Sequence, residues 1–155
     1  MFEILFHVAC VVVAFAYSSV MECVLHKWVL HGLGKRKKNI FAFHWKTHHR
    51  LVRKNNFYDH QYEDATTGGP LRERISLYAL VLAHAPLITV APAFVLTTAF
   101  CARRYYKLHK RMHLEPEWAK KNFPWHWEHH MGKDQDKNWG VTSNWVDKLF
   151  GTSTI

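Results

Sequence analysis

The sequence predicts an all-α integral membrane protein, with one N-terminal transmembrane helix, a membrane helical hairpin and a histidine-rich metal-binding cap on the cytoplasmic side. Three observations predict it. Ile4 to Met21 is an uncharged run of 18 residues, Ile75 to Ala102 is an uncharged run of 28, and ten of the 13 histidines gather beside these runs. Runs of that length exceed what the core of a small soluble domain requires. The length of 155 residues fits a single domain, 1–155. An aromatic content of 15% excludes disorder, and three widely spaced cysteines exclude a disulfide scaffold.

The first helix opens the chain. No Lys or Arg precedes Lys27 and no small-residue cleavage site closes the run, so the segment reads as a permanent anchor rather than a secretory signal. Basic clusters then follow at Lys35-Arg36-Lys37-Lys38, Lys46 to Lys54, Arg72/Arg74, Arg103/Arg104, Lys107 to Arg111 and Lys120/Lys121. They flank the membrane-length segments, so the net charge of +9 follows from the positive-inside rule and requires no nucleic acid. By that rule the N-terminus lies outside and the basic loops lie in the cytoplasm. As one helix the second run would extend about 42 Å, too long for a hydrocarbon core of about 30 Å. Pro86 and Pro92 mark an apex instead. Each limb has about 14 uncharged residues and reaches about 21 Å, so the limbs borrow length from their ends or dip without crossing. Gly68-Gly69-Pro70 reads as a loop before the hairpin. All seven Trp lie outside the two runs, as in an interfacial belt, and Trp28, Trp125 and Trp127 are expected either to line an entrance between the hairpin and the first helix or only to mark that interface.

Four histidine clusters carry the chemistry: His26 and His31; His44, His48 and His49; His109 and His113; His126, His129 and His130. Residues three and four apart share a helix face, so His44/His48, His109/His113 and His126/His129/His130 can each aim at one point. His26 and His31 are five apart and diverge on a regular helix, which predicts an end or bend there, near Gly32 and Gly34. One such pair on an interfacial helix is explained by snorkelling, but four pairs are not. A zinc or iron takes four to six ligands, so ten converging imidazoles predict two metals. A bis-His haem would use one ring from each side and leave the others unexplained. His7 and His84, inside the runs, are expected to be neutral and bonded to a neighbouring helix, and His60 to be solvated. Glu22, Asp59, Glu115, Glu128, Asp134 and Asp136 are expected to partner ligand N–H groups rather than metal, with Asp134 and Asp136 closer to ordinary surface charge. There is no GxGxxG, P-loop, GxSxG or CxxC.

This order of boxes around membrane segments resembles the fatty acid hydroxylase / sterol desaturase superfamily of membrane di-iron enzymes. The tail HWEHHMGKDQDKNWGVTSNWVDKLFGT is similar to its closing pattern of a last His box, an Asn-x-Gly-Val-Thr, an Asp and a Phe-Gly-Thr. Glu22-x3-His26-Lys27-x3-His31-Gly32 resembles the first box of short bacterial carotenoid hydroxylases. The likeness runs from about Glu22 to Thr152. It departs in the second box, usually His-x2-His-His: Trp45 stands three before His48, and the histidine is His44, one place earlier.

The resemblance implies activation of O2 at two irons, with zinc a substitute in purified material, and attack on a C–H bond of a fatty-acyl, sterol-like or other membrane lipid. It implies His26, His31, His44, His48, His49, His109, His113, His126, His129 and His130 as metal ligands, and no separate acid or base. With no His-Pro-Gly-Gly haem motif in the chain, electrons come from a separate donor of the cytochrome b5 or ferredoxin type. The membrane would be the bacterial inner membrane or the endoplasmic reticulum, with the metals on its cytoplasmic face. Desaturation begins with the same hydrogen abstraction and is the alternative, as is carotenoid hydroxylation. A zinc-dependent membrane hydrolase is the rival class; HExxH is missing, and Glu128 is the nearest base.

Overall fold

Long apolar stretches with few helix breakers leave the backbone to satisfy itself, and among the described residues the chain is helical wherever it is regular. The computed structural model describes residues 1–36, 39–64 and 66–155; Lys37 and Lys38 of the first basic cluster lie outside the described residues. Helix α1 covers Phe2–Val24 and runs without a break into a π-helical stretch, Leu25–Leu33. Together they form a 32-residue helix whose most apolar 18 residues have a mean hydropathy of 2.1, among the described residues the one helix long and apolar enough to cross a membrane. The expected end or bend at His26–His31 is instead a change of winding. The chain turns back at Gly34, where a Cβ would lie 2.0 Å from Leu30 O and 2.9 Å from Phe41 O, so no larger residue fits.

A second π-helical stretch, His44–His48, leads into α2, His49–Lys54, and a 3-10 turn follows at His60–Tyr62. Helix α3 spans Gly68–Ala83, so Gly68-Gly69-Pro70 forms its first turn rather than a loop. A 3-10 turn at Ala85–Thr89 contains Pro86, and α4, Pro92–Leu114, starts on Pro92, where the missing N–H costs nothing. Helices α3 and α4 pack on one another through this turn, and α4 lies along α1. At the turn end the outward side chains are large and apolar: Ile4 is 69% exposed, Val12 63%, Leu82 69% and Leu96 65%.

The packed core sits at the opposite end. Val52, Phe57, Met112, Ala119 and Val141 are buried there, among α4 and two short helices, α5 (Pro116–Asn122) and α6 (Pro124–Met131), while a third, α7 (Trp145–Leu149), packs Val146 with Cys23 of α1 and Trp139. Two carboxylates fasten the tail, one buried and one half-buried. Asp147 accepts the Trp139 and Gly140 N–H groups at 2.8 and 2.7 Å and the Thr152 hydroxyl at 2.6 Å. Glu22 of α1 accepts the N–H groups of Val141 and Thr142 and the Thr142 hydroxyl. The Asn-x-Gly-Val-Thr…Asp…Phe-Gly-Thr pattern is therefore a clasp that docks the tail on α1. Glu22 serves the clasp and not an imidazole.

Candidate metal centre

All ten box histidines are buried, each at most 4% exposed. Four segments deliver them. The π-helical end of α1 brings His26 and His31, the second π-helical stretch with the start of α2 brings His44, His48 and His49, the last turns of α4 bring His109 and His113, and α6 brings His126, His129 and His130. They form two groups. His26, His31, His44, His49 and His129 each place a ring nitrogen within 4.8 Å of the others, and His48, His109, His113 and His130 do the same. His126 stands at the margin of the second group, its Nε2 3.4 Å from His113 Nε2. The rings of His49 and His130, centroids 4.3 Å apart, join the groups.

The winding decides who meets whom. In a π-helix the backbone bonds to the fifth residue back, so residues five apart share a face. His26 and His31 therefore converge although an α-helix would separate them. His44 likewise joins His49, at 3.1 Å between Nε2 atoms, while His48 turns into the other group. The expected pairing of His44 with His48 is thus replaced by His44 with His49. The extra residue between His44 and the His48-His49 pair is absorbed by the π-helical turn.

Each group is oriented from behind. His26 Nδ1 donates to Trp139 O at 2.7 Å, His129 Nδ1 to Lys137 O at 2.7 Å and His113 Nδ1 to Phe57 O at 3.0 Å. Phe57 holds φ +76, a strained value for a residue with a side chain, while its ring stacks on His113 and Trp127. His48 Nδ1 donates to Asp59 at 2.8 Å, His31 Nδ1 to Asp136 at 3.1 Å and His109 Nδ1 to Glu73 at 2.6 Å. The Tyr62 hydroxyl donates to the other Glu73 oxygen at 2.6 Å. Asp59 and Asp136 thus do what was expected of the nearby carboxylates, Asp136 being more than surface charge. Asp134 only caps Asp136 N, Glu115 pairs with Arg111, and Glu128 lies against Gly132 at the end of its own helix. Glu73 and Tyr62 were not foreseen, because each lies well away in sequence from the box it serves.

With Nδ1–H committed to an acceptor, a neutral ring presents an Nε2 lone pair. The Nε2 atoms of His109 and His113 face each other at 3.1 Å, and those of His48, His129 and His130 are buried without a hydrogen-bond partner. Lone pairs at that distance repel unless a cation lies between them. Burial, and then the neighbouring imidazoles, push His44, His49, His126, His129 and His130 well below the ordinary imidazole range, so these rings stay neutral, as ligands must. For Asp59, burial works upward, but the hydrogen bond and charge of His48 prevail and hold the carboxyl below its usual value. The residues present fit metal ions: both groups can hold them.

The remaining histidines stand apart. His7 and His60 are exposed. His84 donates through Nδ1 to Leu80 O at 2.7 Å and accepts the Tyr17 hydroxyl of α1 through Nε2 at 2.9 Å, as expected for a neutral histidine between helices.

A cavity of about 550 Å³ opens between α1, α3 and α4 and ends at the centre. Phe15, Val29, Phe43, Leu77 and Leu80 supply apolar wall, and His26, His44, His48, Tyr62 and Glu73 line its polar end. Trp28, Trp125 and Trp127 do not line it. Trp125 donates to Val141 O and Trp127 stacks in the core, while Trp139, instead of marking an interface, is buried beside His26 and His31.

A model of the fatty acid hydroxylase family matches residues 11–152. No curated protein and no solved structure matches the chain.

Proposed function

The chain belongs to the fatty acid hydroxylase family, and from that premise we propose that it is an O2-dependent di-iron membrane oxygenase that hydroxylates a C–H bond of a membrane lipid. The observation that carries this reading is the cavity: an apolar passage between three helices whose inner end is walled by histidines of both groups. An alkyl chain is its natural occupant, because a passage with so few polar groups offers nothing to compensate a polar solute for lost water.

Two irons held by the ten histidines would supply O2 activation and abstraction of the substrate hydrogen. The protein's own residues do the rest. Phe15, Leu77 and Leu80 orient the chain, the helix packing excludes water, and Asp59, Glu73, Asp136 and the carbonyls of Phe57, Lys137 and Trp139 hold the rings of His48, His109, His31, His113, His129 and His26 in the Nδ1–H form.

The exposed apolar flanks of α1, α3 and α4 support insertion of all three in the bilayer, with the centre on the cytoplasmic side. α3 extends only about 24 Å, so its end borrows the interface or dips without crossing. A separate carrier of the cytochrome b5 or ferredoxin type delivers electrons, and the basic surface of Lys107, Lys110, Arg111, Lys120 and Lys121 is its docking place. Incubation with labelled O2 and a reductase chain tests the reaction. Label in a new hydroxyl of the lipid supports hydroxylation, an unlabelled double bond means a desaturase, and label from water alone would make the protein a hydrolase. Labelling of single cysteines at Lys46 and Lys133 tests the topology, and access from opposite sides would refute it.

A further inference from the structure

The groups behind the imidazoles differ sharply between the two halves of the centre. In the half of His48, His109, His113 and His130, two rings donate to buried carboxylates: His48 to Asp59, which is 1% exposed, and His109 to Glu73, which is 9% exposed. Glu73 is held in turn by the Tyr62 hydroxyl. In the half of His26, His31, His44, His49 and His129, the partners are weaker. His26 and His129 donate to neutral carbonyls, and His49 Nδ1 meets the Gln135 amide at 2.9 Å. The single carboxylate, Asp136, has a side chain 52% exposed and is shared with Lys35, whose ammonium reaches both oxygens at 2.6 Å.

Taking the reading of both groups as metal sites as given, we propose that they are unequal and that Asp59 and Glu73 make the group of His48, His109, His113 and His130 the stronger site. The count of nitrogens points the other way, five against four, but His126 lies beside His113 and evens it. Charge then decides. A carboxylate behind an imidazole raises the basicity of the ring and sets a full negative charge close to a dication, and burial leaves that charge unscreened. Asp136 is both screened by water and neutralised by Lys35. Asp59 and Glu73 are positioning residues that act through His48 and His109.

The test is a chelator titration of the iron(II)-loaded full-length protein in detergent, without O2, with the iron remaining per chain counted. The native protein loses its ions in two steps. Glu73→Gln and Asp59→Asn, which keep the hydrogen-bonding shape, weaken the later step by roughly 10–100-fold and bring it towards the first, while Asp136→Asn leaves the later step unmoved. Circular dichroism of each variant separates this from loss of fold. A single step in the native protein, or a first step moved by Glu73→Gln while the second stays, overturns the inference. A native chain that takes up only one ion would refute the two-metal reading by itself. The inference would then stand only if Glu73→Gln weakens that ion and Asp136→Asn does not.

Discussion

Two pairs of boxes reach the centre by different windings. His26/His31 and His44/His49 stand five residues apart on π-helical turns, whereas His109/His113 and His126/His130 stand four apart on regular α-helix. Both arrangements put the paired rings on one face. A box is therefore defined by spacing together with backbone hydrogen-bond register, and one extra residue is neutral when the register shifts with it.

The largest effect should come from disturbing the regular side. Deleting Lys110 and Arg111 together leaves His109 and His113 two apart, about 200° around the helix, and takes His109 out of the second group. Metal analysis of the purified variant should show at least one ion lost per chain. Deleting Lys46 shortens the His44–His49 spacing from five to four, which an α-helical turn accommodates, and metal content should stay near that of the native protein. If both deletions abolish binding alike, the comparison fails.

A smaller loss follows from Asp147→Ala. It strands the buried N–H groups of Trp139 and Gly140 and loosens the segment whose carbonyls orient His26 and His129. The cost is about 3 kcal/mol in a thermal or denaturant melt, and it falls on the half containing π-helical boxes.

The effect of pH has a definite sign. Imidazoles held below their ordinary value of 6.5 stay neutral in the fold while those of the unfolded chain protonate. The stability of the metal-free protein should be full above pH 6.5 and fall as the pH drops below it, which melts between pH 8 and 5 would show. The smallest change is expected at His7, His60 and His84. Alanine there should leave the metal content intact, and His84→Ala should cost about 1 kcal/mol through loss of the Tyr17 bond.

Much of this was legible in the sequence, for identifiable reasons. Histidines four apart on α4 announce a shared face because α-helical geometry is fixed, and Pro86 and Pro92 announce the turn because proline forbids a helix interior. The π-helical winding was not legible, since a shift of hydrogen-bond register leaves no residue type behind it. Its traces were the spacing of His26 to His31 and the displacement of His44. Glu73 was hidden by the 36 residues that separate it from His109, a proximity only the hairpin creates. The tail motif could be seen but not interpreted until Asp147 and Glu22 were found gathering its N–H groups.

The clasp between Glu22 and Thr142 joins positions 120 residues apart. One group needs His129 and the other His130. While the chain is being made, its long first helix and its helical hairpin can form, yet neither set of imidazoles is complete until the last fifth of the sequence has been synthesised and folded back. Assembly of the centre therefore awaits the end of synthesis, and a chain truncated before Asp147 would form its long helices but carry an open, unassembled site.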